Sequence, residues 1–136
     1  MDYKKMAYAV GAAAAVLLAV AWLYLAYPAA DWEMDRQMAP TIKEAKNLAL
    51  DYEKVVSGKS TYIGKHVFWC VQNISEHEVF YRADMNARLA VSNYGRMPRF
   101  PGGKHMGCTE MLLDIEDVRK TPSGTGIVAV AYIYSR

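Results

Sequence analysis

Between Met6 and Tyr27 the chain carries no charged residue. A run of about 22 such residues makes roughly 33 Å of helix, enough to cross a bilayer with a slight tilt. Trp22, Tyr24 and Tyr27 fall near one end of the run, where amphipathic rings favour the headgroup level. Lys4 and Lys5 precede the run; Asp31, Glu33 and Asp35 follow it, with Arg36 the nearby base. The positive-inside rule therefore puts the N-terminus in the cytoplasm of a single-pass protein of the cell (inner) membrane. The remainder lies on the periplasmic or extracellular side. A cleaved signal peptide would start with the same charges. Its apolar core is shorter, however, and Tyr27-Pro28-Ala29-Ala30 places small residues poorly for cleavage. The expectation is a retained anchor over residues 1–30.

Within the run, Ala7, Gly11, Ala15 and Ala19 recur every four residues. On a helix they form a smooth stripe that lets a second helix approach closely. The expected partners are the lipid bilayer and other membrane protein subunits, or a second copy of the chain. The alternative is that the stripe faces lipid.

Residues 31–40 read as a polar linker, and 41–136 as one soluble domain. A helix is expected from Thr41 to about Ser57. Thr41 and Glu44 have capping-box spacing, and Gly58 supplies a stop. Ile42, Ala45, Leu48, Ala49, Tyr52, Val55 and Val56 make its apolar stripe. After Gly58 the period changes to two. Strands are expected over 65–74, 78–84, 87–92, 110–119 and 127–134. Residues 94–107, with two prolines and four glycines, read as a loop, and 121–126 as a turn.

One helix followed by about five antiparallel strands suggests a small, partly open barrel. A five-stranded antiparallel sheet backed by the helix is the alternative. The stretch Ile63-Gly64-Lys65-His66-Val67, the strand Glu78-Val79-Phe80-Tyr81-Arg82-Ala83-Asp84 and the late hairpin through Asp117 resemble the OB-fold. The layout of an N-terminal membrane helix before an exported barrel is also similar to the haem chaperone family of cytochrome c maturation. Tyr94-Gly95-Arg96-Met97-Pro98-Arg99-Phe100 looks like that family's loop after the third strand. The family attaches haem to a histidine in a tail beyond the barrel, and this chain ends at Arg136, directly after the last strand. Haem attachment is carried to no residue here, and no cofactor is expected.

Four clusters could carry chemistry. Cys70 and Cys108 are the two cysteines; in an oxidising compartment they pair and restrict the unfolded chain. The alternative is two free thiols with Cys70 buried. His105 and Cys108, in Lys104-His105-Met106-Gly107-Cys108, are soft or borderline ligands, but two ligands fall short of a metal site. Arg88, Arg96, Arg99 and Lys104, interleaved with Tyr94 and Phe100, could touch a partner or anionic headgroups. The topology and a net charge of +2 argue against nucleic acid. Asp114, Glu116 and Asp117 read as a polar strand face. No nucleophile–base order or nucleotide-binding glycine loop is present, so the expected function is non-enzymatic. The chain reads as an accessory or assembly subunit, with an exported ligand, metal or haem carrier as the alternative.

Overall fold

The computed structural model describes residues 2–104 and 107–135, and the side chains of 27–30 lie outside that description. Two units divide the chain, one through Gln37 and one from Met38. Helix α1 covers Tyr3–Leu48 and α2 covers Tyr52–Gly58. The strands are β1 (His66–Ser75), β2 (Glu78–Tyr81), β3 (Arg88–Val91), β4 (Thr109–Lys120) and β5 (Gly126–Ser135).

In the first unit α1 is long and apolar enough, by length and composition, to cross a membrane; its apolar window has a mean hydropathy of 2.2. Val16, Leu17, Leu18, Trp22, Leu23, Tyr24 and Leu25 are all exposed along it. The Tyr27 side chain lies outside the described residues. Residues 31–40, read as a linker, continue the helix. Glu, Met, Arg and Gln there are good helix formers and no glycine interrupts them.

The helix expected over 41–57 is therefore neither separate nor continuous. The Thr41–Glu44 capping pair sits inside α1, which ends at Leu48. Ala49 then turns the chain with φ of 48°. Asp51 caps α2, its carboxylate accepting from Lys54 N at 2.8 Å. The carbonyl of Leu50 accepts from Trp69 Nε1 at 2.7 Å, which ties the break to β1. Ile42 and Ala45 bury against Leu112, whereas Leu48 is exposed.

The five strands form a closed barrel in the order β1-β2-β3-β5-β4. Its sheet is mixed, not wholly antiparallel, because β3 runs parallel to β5, with Leu89 opposite Val128 and Val91 opposite Val130. Period two decides which residues face inward. Val67, Trp69, Val71 and Asn73 alternate into the barrel from β1, and Met111, Leu113 and Ile115 do so from β4. Tyr52 and Val55 cap this core from α2. Tyr52 stacks on Tyr81 at 5.8 Å between centroids, and Trp69 meets Tyr81 edge-on at 5.0 Å.

Side chains hold both ends of the parallel pair. The Tyr52 hydroxyl lies 2.9 Å from the Arg88 carbonyl oxygen and 2.7 Å from that of Gly126, and its proton serves either. At the other end Asn93 Nδ2 donates to Tyr132 O, and Tyr132 N donates to Asn93 Oδ1, each at 2.7 Å. Gly126 admits α2 closely, since a Cβ there would fall 2.6 Å from Val56 Cγ1.

Burial, with the charge of Asp84 adding to it, pushes the Tyr52 phenol up to about 12 from 10.0. The folded state thus holds a proton that the unfolded chain releases near pH 10. The stabilisation is complete below pH 10 and is lost as pH rises toward 12. Urea unfolding at stepped pH should show this fall. The same titration of Tyr52→Phe should lack that share of it, while starting about 1 kcal/mol lower at neutral pH.

Candidate functional site

The outer face of the barrel carries a groove where β3, β5 and β4 run side by side. Arg88 and Ala90 of β3 face outward because Leu89 and Val91 pack toward the core. Ala90 stands opposite Ala129 of β5, and these two methyl groups leave the floor low. A bulge between Ile115 and Asp117 of β4 re-aims the strand beside it. Arg119 then projects over the floor, its Nε donating to Asp117 Oδ2 at 3.2 Å. A cavity of about 250 Å³ is bounded by Arg88, Arg119, Ile127 and the β1–β2 tip at Glu76 and His77. A second, of about 210 Å³, adjoins it through Ala90, Val91 and Arg119 and adds Ser92 and Glu116. Charges of both signs around a small-residue floor suit a peptide segment or another protein surface. Nothing among the described groove residues pairs a nucleophile with a base.

Of the six residues expected to meet a partner or headgroups, Arg88 alone lines this groove among the described residues. Arg96 and Lys104 are exposed elsewhere. Tyr94 and Phe100 turn inward against the core. The reason is Asn73, fully buried at the inward position after Val71. Its Oδ1 accepts from the Tyr94 hydroxyl at 3.0 Å, and its Nδ2 donates to Pro98 O at 2.9 Å. Its backbone exchanges two hydrogen bonds with Phe100. Phe100 thus occupies the edge of β1 beyond Val71, where the pairing with β4 ends. Arg99 Nε is spent on the Ile74 carbonyl at 3.1 Å. Residues 94–100 thus fold back on the barrel, with Tyr94 and Phe100 packed against its core.

Cys70 and Cys108 are joined as a disulfide, with Cα atoms 5.3 Å apart. The Cys108 sulfur is therefore committed to Cys70, and His105 lies outside the described residues. Among the described residues no group of three His, Cys, Asp or Glu could hold a metal ion. Asp114 has one carboxylate oxygen buried without a hydrogen-bond partner, Glu116 is exposed, and Asp117 is engaged by Arg119 and by its neighbour Val118 N. In the first unit Ala7, Gly11, Ala15 and Ala19 are all exposed, with no neighbouring atom within 4 Å of a Cβ placed at Gly11.

No protein-family model matches the sequence, no curated protein is similar to it, and no solved structure matches the fold.

Asn73 was detectable as a polar residue in an inward register, although its partners 21 to 27 residues away were not. Replacing Asn73 with Ala leaves the Pro98 carbonyl and the Tyr94 hydroxyl without their partner. The expected cost is about 2–4 kcal/mol in denaturant unfolding. Proteolytic cleavage within residues 94–101 should rise with it, and unchanged stability would show that the loop is held by other contacts.

Proposed function

We propose that this chain is a non-enzymatic, single-pass accessory or assembly subunit of a membrane protein complex. The N-terminal run of α1 is a retained anchor in the cell membrane, with Lys4 and Lys5 on the cytoplasmic side. The barrel is an OB-like domain on the periplasmic or extracellular side, and it holds a partner protein in the groove floored by Ala90 and Ala129. The observation that carries this reading is a contrast in burial. The barrel packs its own core from Val67 to Val130, whereas the large apolar residues from Val10 to Leu25 stand exposed. Such a surface needs lipid or another helix around it. The strand order, with the third strand parallel to the fifth, supports the OB-like assignment. The disulfide suits an oxidising compartment.

A reporter that is active only outside the cytoplasm, fused after the last strand, tests the topology. Activity together with retention in alkaline-washed membranes is expected. Cytoplasmic activity would overturn the orientation, and release of a shortened soluble protein would identify a cleaved signal. Ala90→Trp fills the groove from an outward position. It should leave membrane retention and thermal unfolding unchanged while removing at least one protein that co-purifies with the parent. Identical companions for both forms would remove the groove from the proposal.

A further inference from the structure

The largest of the cavities described lies away from the groove, and Cys70 is among the residues that line it. Its volume is about 370 Å³, and its wall includes Leu50, Trp69, Cys70, Tyr81, Arg82 and Glu110. Cys70 faces outward on β1, because Trp69 and Val71 on either side of it face the core. Both bridged cysteines are only partly buried. Glu110 of β4 stands directly opposite Cys70. On the other side Arg82 N donates to the Cys70 carbonyl at 2.8 Å. Glu110, Cys70 and Arg82 therefore follow one another across neighbouring segments, and all three line the recess. Arg82 is held there by its backbone, at φ of 52°, and by its guanidinium lying 5.2 Å over the Tyr81 ring.

From this arrangement we propose that the Cys70–Cys108 bridge is a thiol–disulfide exchange site for a dithiol on a partner protein, with Cys70 as the sulfur attacked. One partner thiol loses its proton to solvent, and its thiolate attacks Cys70 Sγ. The Cys70–Cys108 bond breaks, Cys108 leaves as a thiolate and takes a proton from solvent, and a mixed disulfide joins the partner to Cys70. The partner's second thiol, deprotonated in turn, attacks its own sulfur in that mixed disulfide. Cys70 leaves as a thiolate and is protonated. Two electrons and two protons pass from the partner dithiol to the two cysteines, and the partner is left with a disulfide.

Arg82 favours each thiolate that forms beside Cys70, and Glu110 disfavours it. Gly107 passes Ala83 so closely that a Cβ there would lie 3.1 Å from the Ala83 methyl. Upstream, Pro101 is held through its carbonyl by Gln72 Nε2 at 2.8 Å. This site shares no residue with the groove and does not depend on the partner placed there.

Reduction of the full chain in detergent micelles by dithiothreitol, followed by alkylation and intact-mass analysis, tests the proposal. A bridge that serves only as a staple is reduced when the domain unfolds, so its rate climbs with each addition of urea below the transition. The expected result is a rate independent of urea in that range. Arg82→Asn keeps a residue that tolerates the left-handed conformation and should slow reduction roughly threefold, whereas Glu110→Gln should speed it by a similar factor. A rate that follows unfolding, or one that Arg82→Asn leaves unchanged, overturns the proposal.

Discussion

The pairing of β3 with β5 is the contact that turns five strands into a barrel. It is parallel, which is the less stable arrangement per residue, and it joins segments almost 40 residues apart. Neither strand can secure it alone, since β3 has only four residues. Side chains from outside the pair supply the rest. Tyr52 reaches the carbonyls where the two strands begin, and Asn93 continues the ladder where β3 ends. Tyr52 can do so because the chain breaks at Ala49, and the break is held by the indole of Trp69. Helix, break and barrel closure therefore form one chain of dependence.

That dependence is confined to the second unit. It packs a core of its own, and its exposed faces carry the small, mixed-charge groove and the recess lined by Cys70. The first unit has the opposite character, a helix whose large apolar residues are exposed. The proposed division of labour follows from these two surfaces. One has the chemistry of a lipid contact, and the other has that of a polar protein contact.

Strand positions were legible because alternation and turn residues are local signals. The five expected spans match the observed strands, apart from the end of the second, where Arg82 and Ala83 adopt positive φ as the turn begins. Alternation says nothing of which strand lies beside which, so the parallel pair and full closure were invisible. The helical segment misled for another reason. Thr41 and Glu44 form a start signal wherever they occur, and a polar stretch of good helix formers before them does not look like helix until it is seen to continue one. Ala49 carries no mark of the turn it makes, which a glycine would have announced. At the candidate site, Arg88 was legible as an exposed base. Tyr94 and Phe100 were misplaced because their partner, Asn73, lies on a strand that is distant in sequence.

The proposed arrangement needs a barrel that is complete in itself and an N-terminal helix that lies in the membrane. Amide hydrogen exchange on a fragment comprising residues 38–136 in plain buffer, beside the full chain in lipid nanodiscs, addresses it most directly. The expected result is a soluble fragment whose β1, β3 and β5 amides are protected as in the full chain, with slow exchange across residues 6–25 in the nanodisc-bound chain. A fragment that aggregates or loses protection in β3 and β5, or rapid exchange across residues 6–25, would contradict it.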